Sequence, residues 1–339
     1  MGNKFWSILF GVVMAACFIG FAISPFMGWW RPDGISSHAG DVDFLFDVIL
    51  GITAFFFVLT EGILVYFMWH YASEEGKHPV SPAKDFPNVL KPLAGLLTSQ
   101  HHVELAWTLI PAAILIYIAV AQVDTWANIK YESRKSHTES PTASLQVAVS
   151  ARQFEWRMRY PTVARYKKWQ NDKKSSDAKT VDEFKKDYES FGKVPQADDV
   201  HVVNELHIYQ DHQIMVWLST RDVIHSFNLP NFRVKQDALP GKLIPVWFKT
   251  KEGKECWNTT WDADKHRYVD GVDPKTGKVA MDASGNPSKE FMYDIACAEL
   301  CGWGHYRMIG RVFVHQNEAD FLNWLSKAEA NNKLRTPDR

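Results

Sequence analysis

The sequence predicts a membrane-embedded helical hairpin followed by an all-β domain outside the membrane. Three observations predict it. Apolar residues crowd into the first third of the 339 residues. The remainder carries short alternating runs punctuated by turn residues. Near its end two cysteines, a histidine and a methionine stand at loop-like spacing, in Cys297-Ala-Glu-Leu-Cys301-Gly-Trp-Gly-His305-Tyr-Arg-Met308.

The first apolar stretch, Phe5 to Trp30, carries no charge and follows Lys4. One positive charge before an apolar run is the pattern of a signal peptide. The run is also long enough to be an uncleaved spanning helix. Residues 1–30 are therefore a signal peptide or an extra transmembrane helix. Met14-Ala-Ala-Cys17 loosely resembles a lipoprotein cleavage site. Either way the segment starts on the cytoplasmic side and delivers Arg31 outside.

Phe44 to Trp69 is broken only by Asp47 and Glu61, and Val103 to Val123 only by Glu104 and Pro111. Each suffices to cross a hydrocarbon core of roughly 30 Å. Two carboxylates facing lipid are costly, so the second stretch needs a face against protein. Pro111 is tolerated because neighbouring helices re-satisfy the freed carbonyl. With the polar loop Tyr71 to His102 between them, the two stretches form a hairpin over residues 42–127.

From residue 140 to 330 the pattern is β. Leu145 to Ser150 and Phe154 to Tyr160 alternate; His201 to Leu218, Val246-Trp-Phe248 and Arg311 to His315 are rich in strand formers. Many short strands with turn signals predict an antiparallel sandwich or barrel. Residues 317–330 read as a closing amphipathic helix. The charged segment 162–199, with a helix around Thr180 to Phe191, and the Gly-, Asp- and Lys-rich segment 251–290 read as inserted surface loops. Asn258-Thr-Thr260 is a glycosylation-type triplet.

The net charge of −1 gives no argument for nucleic acid. Four cysteines, Cys17, Cys256, Cys297 and Cys301, are too few for a disulfide scaffold, and no Cys-x-x-Cys-His is present to attach a haem. Outside the cell, two nearby cysteines ordinarily pair. Here a histidine and a methionine follow at once, and Gly302 and Gly304 let the backbone wrap. Thiolate, imidazole and thioether form the soft set that selects copper. Zinc would use Cys297, Cys301, His305 and His225, and would leave Met308 without a role. A single blue copper needs one thiolate, and two are present. Two thiolates can bridge two coppers, each with one imidazole and one weak outer donor. His225 and His305 supply the imidazoles; Met308 and the Glu299 carbonyl supply the outer donors. His201, His207 and His212 read as structural.

At these residues the chain resembles cytochrome c oxidase subunit II, over roughly Val42 to Ala330. The family motif Cys-x-Glu-x-Cys-Gly-x-x-His-x-x-Met is complete at 297–308. Glu205-Leu-His207, Val223-Ile-His225-Ser226, Lys235-Gln-Asp237-Ala-Leu-Pro-Gly241 and Glu104-Leu-Ala-Trp107-Thr108 extend the likeness. The resemblance implies a cupredoxin-like Greek-key barrel carrying a dinuclear copper, CuA, on His225, Cys297, Glu299 (carbonyl), Cys301, His305 and Met308. It implies electron transfer from cytochrome c, or a tethered cytochrome domain, to haem in subunit I, and oxygen reduction coupled to proton translocation. Subunits I and III are the implied partners, and this chain itself binds no haem. The Glu299 side chain would ligate a magnesium shared with subunit I, the hard ion a carboxylate suits. Asp237 would face subunit I, and Glu104 would mark a proton-uptake entrance. The setting would be a bacterial inner membrane with the copper domain on the periplasmic side.

The chain departs from the family at two aromatic positions. Phe154 stands where the family's electron-accepting tryptophan is expected, Trp156 matches the second, usually structural one, and Phe227 replaces a tryptophan after His225-Ser226. Phe154 and Trp156 are the candidate electron-entry residues. The segment Arg157 to Lys179 holds eight basic and two acidic side chains. If that inserted segment lies near the copper, an acidic or tethered cytochrome is the expected donor, and a basic soluble cytochrome c a poor one. A quinol oxidase subunit would lack the copper ligands; a nitrous oxide reductase copper domain would lack the hairpin. A membrane-anchored copper-delivery protein would need an open site.

Overall fold

A computed structural model describes residues 3–70, 100–130, 144–251 and 255–332. The loop expected at 71–102 falls largely outside these, as do residues 140–143 and the start of the second insertion. Contacts divide the chain into two units, Met1–Arg31 with Asp43–Asp124, and Pro32–Val42 with Thr125–Arg339.

The first unit is helical. Helix α1 spans Asn3–Ile23, α2 Ala39–His70 and α3 Gln100–Ala121, which runs on through Pro111. Three apolar spans, Lys4–Met27, Ala39–Trp69 and His101–Lys130, are long and apolar enough to cross a bilayer. Helices α1 and α2 run antiparallel. Gly11 leaves room for the Val65 side chain, 3.2 Å from where a Cβ would stand, and the Lys4 ammonium lies 5.0 Å from the Trp69 ring centre. At the other end Arg31 grips Asp47 with two hydrogen bonds of 3.0 Å. That pairing answers the cost of the Asp47 carboxylate in an apolar run. Glu104 is the fifth residue of α3 and is exposed, with its backbone carbonyl accepting from the Thr108 hydroxyl.

The second unit holds the segment Pro32–Val42, most of the short helix α4, Val123–Lys130, and two five-stranded sheets. One is ordered β3-β2-β1-β5-β8, from Val200–Val203, Glu155–Tyr160, Leu145–Arg152, Gln213–Thr220 and Ile244–Lys249. The other is β4-β14-β13-β6-β7, from Glu205–Tyr209, Ile309–His315, Tyr293–Cys297, His225–Leu229 and Val234–Ala238. Each sheet is antiparallel except for one parallel pair, β1 with β5 and β14 with β4. These pairs replace the all-antiparallel sheet that the run of short strands predicts. A parallel pair needs a crossover, and here the intervening chain supplies it.

The single run His201 to Leu218 is three strands, because Asn204 and Asp211 take positive φ values of 59° and 55° and turn the chain. Asn204 closes its turn by exchanging hydrogen bonds with the Trp156 backbone. Alternating side chains of both sheets meet in one core containing Val147, Val149, Trp156, Met158, Leu206, Ile208, Val216, Phe227, Ile295 and Val312. Each fully buried large side chain there contributes about 1.5–3 kcal/mol. Helix α7, Glu318–Asn332, closes one side through Phe321, Trp324 and Leu325.

Neither insertion is only a surface loop. Residues 162–199 form helices α5, Val163–Asp172, and α6, Ala178–Ser190, whose Trp169, Phe184 and Tyr188 join Phe191 in a second small core. Segment 251–290 carries the short hairpins β9–β10 (Thr260–Asp262, Arg267–Val269) and β11–β12 (Val272–Asp273, Lys278–Val279). Its Cys256, Trp257, Tyr268 and Val272 enter the main core. Asn258 is buried, with its amide donating to the Phe291 and Val312 carbonyls and its oxygen accepting from the Val314 N–H. An amide so engaged cannot accept a sugar, so the triplet is structural.

Candidate metal centre

Strand β13 ends at Cys297, paired with Phe227 of β6, and the Ala298 N–H donates to the Ser226 carbonyl. This register sets the end of β13 beside His225, the first residue of β6. From Cys297 the chain loops out and returns through a 3-10 turn, His305–Arg307, into β14. The Met308 carbonyl accepts from the Cys297 N–H and closes the loop.

Inside the loop the donor atoms converge. The Cys297 and Cys301 sulfurs lie 3.8 Å apart, and both cysteines are free. A disulfide needs about 2.05 Å. His225 Nδ1 is 3.8 Å from Cys297 Sγ, and the Glu299 carbonyl oxygen 3.2 Å from it. His305 Nδ1 is 3.5 Å from Cys301 Sγ, and Met308 Sδ 3.9 Å from it. Each sulfur is thus flanked by one imidazole nitrogen and one weak donor. The donor set fits two soft ions held between two thiolates better than one ion, because one ion would leave donors over. His225, Cys297 and Cys301 also satisfy the spacing for a single shared metal.

His225 and Met308 are fully buried, and Cys301 nearly so. Burial, helped by the adjoining Cys297 thiol, pushes the Cys301 thiol up to about 12. A metal would have to displace that proton on binding.

Sequence reasoning misses the group that orients His225. Asp222 Oδ1 lies 2.8 Å from His225 Nε2. With Nε2–H donating to that carboxylate, Nδ1 is left bare toward Cys297. Burial by itself would raise the Asp222 pKa, but hydrogen bonds from the Gln153 N–H, His225 and the Val223 N–H outweigh it and hold the group below the usual carboxylate range. A carboxylate three residues before a candidate ligand histidine is the pattern that would have marked it.

Phe154 lies against the ligand loop. A Cβ on Gly304 would come within 2.5 Å of its ring, and one on Gly302, at φ 123°, within 2.8 Å of Gln153 Nε2. Gln153 Nε2 also donates to the Cys301 carbonyl at 2.6 Å. The loop glycines are therefore required by the close approach of the β1–β2 turn. Trp156 is wholly buried, with its ring centre 6.2 Å from that of His225. Glu299 and Asp237 expose their side chains, Asp237 standing opposite Ser226 in the β6–β7 pair.

Two family models match the chain, "Cytochrome C oxidase subunit II, periplasmic domain" over residues 147–257 and "Cytochrome C oxidase subunit II, transmembrane domain" over 26–124. The first includes His225 and stops before the cysteine loop. The chain is 27% identical to a cytochrome c oxidase subunit 2 of Thermostichus vulcanus, across 96% of this chain and 85% of that one. It is 22% identical to an alternative cytochrome c oxidase subunit 2 of Bradyrhizobium diazoefficiens, across 88% and 83%. Among solved structures, the periplasmic domain of cytochrome oxidase subunit II from Bradyrhizobium japonicum aligns at 20% identity and a TM-score of 0.32, covering 55% of this chain and 94% of that one.

Proposed function

The chain belongs to the cytochrome c oxidase subunit II family, a subunit of a membrane oxidase with a periplasmic cupredoxin-like domain, and on that premise we propose that its cysteine loop holds the dinuclear copper centre CuA. The centre takes electrons from cytochrome c, or from a tethered cytochrome domain, and passes them to haem in subunit I. There oxygen is reduced to water with proton translocation. One observation carries this reading: two free thiols 3.8 Å apart, each flanked by an imidazole nitrogen and a weak outer donor.

When bound, the copper pair supplies one-electron chemistry shared over two ions. The protein's part is to hold that pair still and dry. Cys297 and Cys301 would hold it through their sulfurs, and His225 and His305 would each supply one nitrogen. The Glu299 carbonyl and Met308 would be the weak outer donors. Asp222 fixes the His225 ring and its tautomer. Trp156 and Phe227, both fully buried and 5.3 Å apart edge to face, keep water from the His225 side. A dry, rigid cradle changes little between oxidation states, which favours rapid transfer over bond-making.

The exposed Glu299 carboxylate is free to ligate a magnesium shared with subunit I, with Asp237 on the same partner's side. Glu104 is assigned to the cytoplasmic proton entrance, and the host membrane is taken as a bacterial inner membrane. A membrane-anchored copper-delivery protein is the second reading. The burial of His225, Cys301 and Met308 opposes it, since delivery needs exposed, exchangeable ligands.

Purification with native partners, followed by EPR, tests the reading. The expected spectrum is a mixed-valent signal shared equally by two coppers. A single-copper spectrum, or a disulfide between Cys297 and Cys301, would remove it.

A further inference from the structure

We propose that Trp303, on the ligand loop, is the contact through which electrons enter this chain. This rests on the dicopper reading. Trp303 lies two residues after Cys301 and two before His305, and its side chain is 72% exposed. Trp156, by contrast, has no exposed surface with which to meet an incoming protein. Phe154, the other candidate entry residue, lies against Trp303 edge to face, with ring centres 5.2 Å apart at 68°. The Arg307 guanidinium stands 4.3 Å from the Trp303 ring centre and 5.7 Å from that of Phe154. The indole is thus exposed and held in place.

Its fixed position follows from the loop. Gly302 and Gly304 bracket Trp303, and neither tolerates a Cβ against Gln153 and Phe154. The backbone on both sides of the indole is pressed onto the β1–β2 turn and bonded to it through Gln153 and the Cys301 carbonyl. Leu300 and Tyr306, 79% and 74% exposed, are the loop's other projecting apolar side chains. Exposed apolar side chains on one loop mark an interaction site, and a tryptophan with an arginine beside it is the composition of an energetic hot spot.

The occupant is the exposed haem edge of a c-type cytochrome. Arg307 favours a donor with an acidic group beside that edge. In the transfer one electron leaves the donor's haem iron, which goes from Fe(II) to Fe(III), and the copper centre gains that electron. The indole ends unchanged, and no bond forms or breaks.

The test uses the whole oxidase complex with W303F and W303A, a reduced soluble cytochrome c as protein donor and hexaammineruthenium(II) as small donor. W303A is expected to lower the second-order rate of cytochrome oxidation by about 30-fold and to weaken equilibrium binding of the oxidised cytochrome to a similar degree. W303F is expected to lose less on both. Oxidation of the ruthenium complex, which needs no docked protein, is expected to change far less than oxidation of the cytochrome. Should W303A disturb the copper EPR signal, W303F decides. Unchanged cytochrome rate and binding with an intact dicopper signal would overturn the assignment of Trp303. Absence of a dicopper signal from the unsubstituted oxidase would instead overturn the reading on which it rests.

Discussion

Asp222 illustrates how little of the proposed copper site is made by the candidate ligands alone. Its carboxylate fixes which nitrogen of His225 faces Cys297, and groups in this position are typically worth about 10- to 100-fold in metal affinity. Replacement by asparagine keeps the shape but removes the charge. D222N is therefore expected to weaken copper retention by about 10- to 100-fold, read by competition with a chelator of known affinity. Gly304 makes a second residue-scale case. Its missing Cβ is the space the Phe154 ring occupies, so G304A must push either the ring or the ligand loop away. Overpacking of this kind costs about 1–3 kcal/mol. We expect G304A to lower the denaturation midpoint and to broaden the copper EPR signal. If both stay unchanged, the contact between the loop and Phe154 is not tight.

At the scale of elements, the 162–199 insertion is anchored by ions inside the protein. Asp199, fully buried, pairs with Arg159 and with Arg165, and Arg165 also bonds Asp187 at 2.6 Å. Burial lowers the Arg159 pKa, with Asp199 opposing it. Leaving two buried guanidinium groups without their shared carboxylate should cost about 3–5 kcal/mol in D199A, measured by urea denaturation. This anchoring also changes the reading of surface charge. Of the eight basic residues between Arg157 and Lys179, Arg157, Arg159 and Arg165 are paired with Glu155, Asp199 and Asp187. Linear counting of charge therefore overstates how basic a face this segment offers a cytochrome.

Strands β4 and β14 bring together a second polar group, and it gives the domain a pH dependence. The His207 ring is stacked between Phe313 and Trp324 at 4.3 and 3.8 Å, with Nδ1 3.0 Å from His315 Nε2. His315 Nδ1 in turn faces Asp320 at 2.8 Å. Burial holds both imidazoles below their ordinary value; His315 adds to this at His207, and Asp320 opposes it at His315. A histidine depressed on folding contributes stability that is fully present above its unfolded pKa of about 6.5 and is lost as pH falls through the folded value. Glu205, 3.5 Å from His207 Nε2 and raised by burial, acts in the opposite sense at lower pH. The β domain is expected to lose stability as pH drops below about 6.5, and H207F to flatten that loss. Urea midpoints at a series of pH values read this directly, and an unaltered slope in H207F would count against the assignment.

For the whole molecule, the short segment between the first two helices belongs to the β unit rather than to the helices it joins. Ile35 enters the β core, its N–H donates to the Asn231 carbonyl, and its own carbonyl accepts from the Lys251 N–H. The Ser36 hydroxyl donates to the Phe232 carbonyl at 2.6 Å from a fully buried position. A β domain produced without residues 32–42 should therefore melt several degrees below one that retains them, and S36A should cost about 1 kcal/mol. Equal melting temperatures would show that the segment is only a tether.

By itself the sequence determined the three apolar spans and the ligand loop, because both are local. A span is a run of side chains, and five of the six proposed donor positions lie between Cys297 and Met308. It also marked most strands and the closing helix, through alternation and period. The tertiary structure alone decided what surrounds the loop. His225 stands 72 residues before Cys297 and reaches it through the β6–β13 register. Phe154 and Gln153 arrive from the turn between two strands of the other sheet. Trp303 reads in sequence as one more residue of a known motif. Only the packing of Phe154 beneath it and Arg307 beside it separates an exposed, fixed indole from a buried one. Local spacing constrains the backbone that carries it, whereas burial and contact depend on which distant strands pair, and pairing is set by the sum of the core.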